Sequence, residues 1–311
     1  MRVAASLIIP VFHGWPYVVA LLAGLDLRGD PELEIVVVDD ASEDGGAERL
    51  QATFPDVHVH QRTVNGGFAA AVNSGVQLSS GEVLVVANSD LQLCPGALQT
   101  LIDTAQAHPD LILGPRAVGA SGHELSVARP FPSPLRDAAE LFLPVLVLRR
   151  LWRRWHGLNP RGAGPVSCDW VNGACLAFHR SVWHRTGPLD EGYRMYSEEV
   201  DWQRRSAQQG IRSAYLPAVT VVHDEMHGTA ITSPAFDTRF RAIWRSKLRY
   251  HRTHGGRRAS ACLQLAWVAA YAVSAPLYSV ASLVPAVRDR ALAERRRVRL
   301  LAASAVLRRS L

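Results

Sequence analysis

Asp90 closes the stretch GEVLVVANSD (81–90) with no basic residue beside it. The run before it, Val83 to Val86, is apolar and suits a buried strand. An unpaired carboxylate at the end of such a strand is costly unless water or a cation meets it. A divalent ion bridging a diphosphate would be that partner, because hard oxygen ligands suit Mg2+ or Mn2+. The competing expectation is a turn-forming Asp that caps the next helix. His223 ends another apolar run, AVTVV, where a second ligand could reach the same ion. A lone histidine at a strand end is more often structural, and His227 in the adjacent HDEMH offers a second imidazole. YSEEVDW (196–202) crowds Glu198, Glu199 and Asp201 into a helix start, where the helix dipole favours acids and keeps a carboxylate ionised. An ionised carboxylate facing a cleft can take a proton from an attacking hydroxyl.

These residues need elements that carry distant strand ends to one place. SLIIPVF (6–12), EIVVVDD (34–40), VHVHQR (57–62), EVLVVANSD (82–90) and LILGPRAV (111–118) have strand character. Between them PYVVALLAGL (16–25), GGAERLQATF (45–54), GFAAAVNSGVQL (67–78) and the stretch Pro95 to Ala107 have helix character. The alternation predicts a parallel sheet with right-handed crossovers, and ligands in such sheets bind beyond the carboxyl ends of the strands. Asp39, Asp40 and Asp90 all stand at such ends and should share one cleft. Further on, CDWVNGACLAFHR (168–180) restores order, SEEVDWQRRSAQQG (197–210) predicts a helix, and SAYLPAVTVVH (213–223) a strand ending on His223.

Composition narrows the class. The chain has 311 residues, 48% hydrophobic and 20% charged, which excludes a disordered chain and a purely membrane one. The net charge of +6 is uneven, with one cluster at Arg149, Arg150, Arg153 and Arg154 and another from Arg288 to Arg309. The four cysteines form no C-x-x-C pair and suit a reducing, cytosolic setting; the N-terminal apolar stretch is too short for a secretory signal. No G-x-G-x-x-G follows the first strand and no G-x-x-x-x-G-K-[ST] loop is present, which argues against dinucleotide enzymes and P-loop NTPases. Residues 129–165 mix prolines, apolar residues and arginines, like a loop or an amphipathic surface element. From Ala259 to Val287 there is no charge, yet Gln264, Pro276 and Pro285 interrupt the run. A kinked membrane span, an in-plane anchor and a buried helix pair are all open there.

Several segments, in order, resemble the family 2 inverting glycosyltransferases, and in particular bacterial rhamnosyltransferase-like members. SLIIPVF is similar to the opening strand of that family, and VVVDDASEDGG to its V-V-D-[ND]-[AG]-S-x-D-G segment. NGGFAAAVNSG is similar to N-x-G-F-A-x-A-x-N-x-G, the most specific match. VANSD stands in the place of the D-x-D-type metal motif, reduced to its final acid. WVNGACLAFHRSVWHRTGPLDEGYRMYSEEVDWQRR follows the pattern W-x-x-G-A through M-Y-x-E-D-x-D, and VVH follows near the end. The resemblance covers roughly residues 5 to 250.

The resemblance implies a GT-A fold: an α/β architecture with a Rossmann-like, mostly parallel central sheet flanked by helices, here followed by a helical, membrane-associated C-terminal segment. It implies a nucleotide-sugar-binding half at 1–118, an acceptor-binding half at 119–250 and a basic helical tail at 251–311. Asp39 would accept a hydrogen bond from the donor's pyrimidine base, with Pro10 and Phe12 lining its pocket. Asn65, Gly67 and Asn73 would shape the wall around the nucleotide, and Ser89 would lie near ribose and diphosphate. Asp90 and His223 would hold Mg2+ or Mn2+. Glu199 stands where the family has the catalytic Asp of its E-D pair, one methylene longer, so the base could instead be Glu198. Glu198 would otherwise support the base or hold acceptor hydroxyls, and Trp170 could stack on a sugar ring. The implied reaction moves one sugar, dTDP-rhamnose being the donor by analogy, to a hydroxyl of a glycan or lipid-linked acceptor. The Q-x-x-R-W motif of processive synthases is absent, which favours single-sugar transfer.

Other classes compete. A nucleotidyltransferase would want a glycine-rich basic loop after the first strand, where PVFHGWP stands. A catalytically silent nucleotide-sugar-binding or membrane scaffold protein is suggested by the Glu199 replacement and the incomplete D-x-D. The arginine clusters flank apolar runs, which favours an anionic membrane surface over nucleic acid as partner. The expected location is the cytoplasmic face of the cell membrane.

Overall fold

The computed structural model describes residues 3–25, 32–137, 159–162, 164–223, 234–283 and 285. The arginine clusters at 149–154 and 288–309, and His227, lie outside them. The described residues divide between two compact units. The first is drawn from Met1–Phe131, His156–Arg194 and Glu198–Met226, the second from Pro132–Trp155, Met195–Ser197 and His227–Leu311.

In the first unit the unbroken apolar runs become strands covered on both faces. They are β1 (Ala5–Val11), β2 (Leu33–Asp39) and β4 (Val83–Ala87), with the half-exposed β3 (His58–Gln61) as their neighbour at one edge. These four pair in parallel in the order β3-β2-β1-β4. The helices between them are α1 (Trp15–Ala23), α2 (Gly46–Thr53) and α3 (Phe68–Leu78). Leu7, Ile8, Ile9, Val37, Leu84 and Val85 are fully buried at the centre of the core.

Beyond β4 come β5 (Leu91–Leu93), α4 (Ala97–Ala107), β6 (Leu111–Gly119), β7 (Ala128–Arg129), β8 (Val166–Cys168), β9 (Trp170–Val171) and β10 (Cys175–His179). They are followed by α5 (Arg180–Thr186), α6 (Glu198–Ala207) and β11 (Arg212–His223). The sheet continues from β4 as β10-β6-β11-β5, with β8 on β11, while β7 and β9 form a separate pair. The sheet is therefore mixed: β6 and β11 are parallel, but β10 runs antiparallel between β4 and β6. Alternating strand and helix signals predict only parallel neighbours. β10 reaches the sheet from a remote stretch of chain, and its apolar run carries no direction.

In the second unit, α7 (Pro234–Ala281) is broken at Gly256, whose φ of 73° no helix interior allows. Phe240, Trp244 and Leu248 before the break cluster with Leu263, Trp267 and Ala270 after it, and the Trp244 and Trp267 rings meet edge to face at 5.0 Å. One face of the uncharged stretch is buried in this way. Another exposes Leu265, Val268, Val273, Val280 and Leu283. Among the described residues no helix is long and apolar enough to cross a membrane.

Candidate active site

The carboxyl end of β4 is built by two backbone hydrogen bonds, one of them long-range in sequence. Asn88 donates its backbone N–H to the Ala174 carbonyl at 2.8 Å, and Leu91 N–H reaches back to the Asn88 carbonyl at 3.3 Å. This turn reverses the chain into β5, which pairs antiparallel with β11 so that Leu91 lies opposite His223. Asp90, one residue earlier, is thereby delivered to the same imidazole: Asp90 Oδ1 lies 3.2 Å from His223 Nε2. Both side chains keep some solvent access, 11% and 15%. The capping alternative for Asp90 does not hold, because α4 begins after Gly96 and has no side-chain cap hydrogen bond. Among the described residues no group of three or more His, Cys, Asp or Glu converges. Asp90 and His223 stand as a close pair of carboxylate oxygen and imidazole nitrogen.

Around the ends of β1 and β2 two loops are locked together. Asp39 is 2% exposed and its Oδ1 accepts from the Ser42 N–H at 3.1 Å and from the Ser42 hydroxyl. That hydroxyl also accepts the His13 N–H at 2.9 Å. His13 Nδ1 lies 3.2 Å from Asp44 Oδ2. Asp44 is exposed: desolvation opposes ionisation, but the contact and charge of His13 and the hydrogen bond from the Gly46 N–H outweigh it and hold the carboxyl below its ordinary value. Phe12 is 51% exposed with its ring against His13, whereas Pro10 is buried within β1. Ser89 faces the start of α1, since a Cβ placed on Gly14 would lie 3.1 Å from its hydroxyl.

Asp40 has a role that no sequence feature assigns. Its carboxylate accepts the N–H groups of Gly66 at 3.0 Å and Gly67 at 2.7 Å, and Arg62 Nε at 2.9 Å. The N-G-G loop, with half-buried Asn65 at its head, is therefore held from β2. Gly67 has φ of 85°, and a Cβ on it would fall 2.0 Å from the Arg194 carbonyl oxygen, so only glycine fits. Asn73, expected in the nucleotide's wall, spends its amide on the 189–191 segment. It donates to the Leu189 carbonyl at 3.0 Å and Glu191 at 2.8 Å, and accepts the Leu189 N–H at 3.0 Å.

The acids of α6 are separated by their surroundings. Asp201 is 1% exposed and bound by Arg205 Nε at 2.9 Å and the Tyr193 hydroxyl at 3.4 Å, which makes it structural. Glu198 is buried and Glu199 half-buried. Gln203 docks α6 onto β9 by bonding both the N–H and the carbonyl of Val171, each at 2.8 Å. Two residues on, a Cβ placed on Gly173 would lie 3.0 Å from Glu199 Cγ. Ala174, next in line, accepts the Asn88 N–H already described. One continuous strip, 171–174, thus joins the Glu199 helix to the turn that carries Asp90. Trp170, expected to stack on a sugar, is 7% exposed and serves instead as a strut: its Nε1 donates to the Pro130 carbonyl at 2.9 Å and Arg129 covers its ring.

Residues 6–156 match the model of glycosyl transferase family 2. The N-acetylglucosaminyl-diphospho-decaprenol L-rhamnosyltransferase of Mycobacterium tuberculosis is 31% identical over 229 residues, 69% of this chain and 74% of that protein. The mannosyltransferase PcManGT of Pyrobaculum calidifontis, solved with GDP-Man and Mn2+, superposes with a TM-score of 0.57 at 18% identity over 99% of this chain and 88% of that one. GalNAc-T7, solved with UDP, GalNAc and Mn2+, gives 0.55 at 16% identity over 82% of this chain, which spans 51% of that protein. At these identities the two structures speak to the fold, a GT-A-like α/β arrangement. The sequence relatives speak to the enzyme class, and they set aside the nucleotidyltransferase and silent-scaffold alternatives. The chain belongs to glycosyl transferase family 2 and is a glycosyltransferase.

Proposed function

We propose that the protein moves one sugar, with inversion, from a nucleotide-diphosphate sugar to a hydroxyl of a lipid-linked glycan acceptor. The observation that carries this is the pairing of Asp90 with His223 at 3.2 Å, at the carboxyl-end turn of β4. The donor set fits a divalent cation in kind, and two protein ligands leave room for diphosphate oxygens and water. Mg2+ or Mn2+ held there by Asp90 and His223 would neutralise charge on the diphosphate and make it a better leaving group. Ser89 lies beside the same turn, near where ribose and diphosphate would pass. Asp39 and Phe12, with Pro10 behind them, form the base pocket, and Asn65 and Gly67 bound the nucleotide. Glu199 takes the proton from the acceptor hydroxyl, whose oxygen then attacks the anomeric carbon from the face opposite the leaving group. Glu198, buried beside it, supports that carboxylate or an acceptor hydroxyl.

The similarity to the mycobacterial rhamnosyltransferase supports dTDP-rhamnose as donor and a polyprenyl-diphosphate-linked N-acetylglucosamine as acceptor. Transfer between these two by the full chain, followed by NMR of the new linkage, is the test. The expected result is inverted configuration and loss of transfer in EDTA and in Asp90→Ala. Retained configuration, or undiminished transfer by Asp90→Ala in EDTA, would overturn the reading.

A lipid-linked acceptor also calls for attachment at a membrane surface. The exposed apolar face of α7 after Gly256, preceded by the exposed Arg252, Arg257 and Arg258, supports an in-plane contact with an anionic cytoplasmic leaflet. Sedimentation with anionic vesicles should be strong at low salt and weakened by Leu265→Ser with Val273→Ser. Equal sedimentation with neutral vesicles would remove the electrostatic part.

A further inference from the structure

β6 and β11 are parallel neighbours, and their last register pair sets Gly119 beside His223. Directly paired residues direct their side chains to one face of a sheet, and neighbouring strands lie about 4.8 Å apart. Gly119 sends nothing to that face, and another residue fills the space. The chain turns back directly after β6. Gly122, with φ of 78°, donates its N–H to the Gly119 carbonyl at 2.8 Å, and the Gly119 N–H reaches the His123 carbonyl at 2.8 Å. This turn lays the His123 ring over Gly119. A Cβ placed on Gly119 would fall 2.3 Å from His123 Cε1 and 3.0 Å from its Nε2. β11 separates β6 from β5, so His123 approaches His223 from the side opposite the strand that follows Asp90.

The ring is oriented, and its other nitrogen is left open. His123 Nδ1 lies 2.8 Å from the Ser121 hydroxyl. A hydroxyl both donates and accepts, so Ser121 can donate to Nδ1 and leave the ring proton on Nε2. His123 is exposed, and among the described residues its Nε2 makes no hydrogen bond. The neighbouring acid is occupied elsewhere: the Glu124 carboxylate accepts Asn159 Nδ2 at 2.8 Å and the Tyr215 hydroxyl at 3.4 Å. His123 is not a third metal ligand, since no group of three such residues converges among those described. An N–H aimed outward beside a cation site suits a phosphate oxygen.

We propose that His123 is a binding residue of the reaction cleft, its Nε2–H donating to a diphosphate oxygen of a substrate. The inference rests on the proposed function, which brings two diphosphates to the cleft: the donor's at the cation, and the acceptor's between its sugar and its lipid. Gly119 belongs to the same device, because only a residue without a Cβ lets the ring lie against the strand beside His223.

The test uses the full chain, with transfer from dTDP-rhamnose to a polyprenyl-diphosphate-linked N-acetylglucosamine in Mn2+, beside thermal unfolding. His123→Phe keeps a ring over Gly119 and loses the N–H. Its midpoint should stay that of the parent, while KM for one substrate rises about 10-fold, the order of one hydrogen bond to a charged group. A rise for dTDP-rhamnose, with weaker inhibition by dTDP, identifies the donor's diphosphate. A rise for the acceptor identifies the other, and an alkyl N-acetylglucosaminide, which lacks the diphosphate, should then serve parent and variant equally. The backbone of Gly119 is not left-handed, and the nearest atoms to its added Cβ all belong to the His123 ring. Gly119→Ala should therefore displace that ring and reproduce the KM change with the imidazole intact. Unchanged KM for both substrates in His123→Phe and Gly119→Ala would overturn the proposal, as would a change confined to kcat. Failure of the proposed function shows in the parent alone, as transfer that is absent or indifferent to Mn2+, and would remove this inference with it.

Discussion

Three acids share the first turn of α6 and differ in what surrounds them. Asp201 is bound by Arg205 and Tyr193 in a fully buried position, whereas Glu199 lies half-buried against Gly173. Asp201→Asn should therefore lower stability by roughly 2–3 kcal/mol, less than a fully buried pair because Arg205 is partly exposed, and leave kcat of the folded protein unchanged. Glu199→Gln should do the reverse, keeping the unfolding midpoint and lowering transfer by about 10²–10⁴-fold. Denaturant melts beside steady-state rates check both. An inactive Asp201→Asn of normal stability would move the base. The sequence displays these acids together, and the spacing of Asp201 and Arg205 already suits a helical ion pair. It does not show that Glu199 packs against Gly173, because Gly173 comes from the turn between β9 and β10, far away in the chain. Asp40 was legible as an acid at a strand end, but not as the clamp on Gly66 and Gly67, since nothing local links residues 26 and 27 positions apart.

At the scale of elements, the strands β1, β2 and β4 are legible because fully covered strands appear as unbroken apolar runs. β5 escapes such reading: LQL is three residues long and precedes a proline. Its pairing with β11 is nevertheless what sets Asp90 beside His223. The direction of β10 is likewise a tertiary fact. α3 shows how one helix is tied to a distant loop. Asn73→Ala would strip the Leu189 N–H and carbonyl of their partners at a buried position. Each orphaned group costs about 1–3 kcal/mol, so the variant should lose at least roughly 2 kcal/mol of stability by denaturant unfolding. Asn73→Asp keeps the acceptor for Leu189 N–H but sets a carboxylate against Glu191, and should not recover it. A variant as stable as the parent would mean that segment is held elsewhere.

For the whole molecule, acid sensitivity has an identifiable source in the second unit. Burial alone would raise the Asp137 carboxyl, but the charge of Lys247 and the hydrogen bond with His251 outweigh it and hold the group below its ordinary value. A lowered carboxylate pKa contributes stability that is complete above the unfolded value, about 4, and is lost as pH falls through the lower folded value. The thermal midpoint should thus fall as pH drops below about 4. Asp137→Asn should have a lower midpoint at neutral pH and a shallower fall in that acid range. A parallel displacement of the two curves would mean that other groups govern the acid loss.

On the proposed function, Asp90 and His223 are the place where a cation would meet the donor's diphosphate. Thermal unfolding of the parent and of Asp90→Asn, with dTDP-rhamnose added in the presence and absence of Mn2+, tests it most directly, because selective binding raises the midpoint by mass action. The expected result is a donor-dependent rise in the parent that requires Mn2+ and is lost in Asp90→Asn, whose midpoint without ligand stays that of the parent. An equal Mn2+-dependent rise in Asp90→Asn would contradict it.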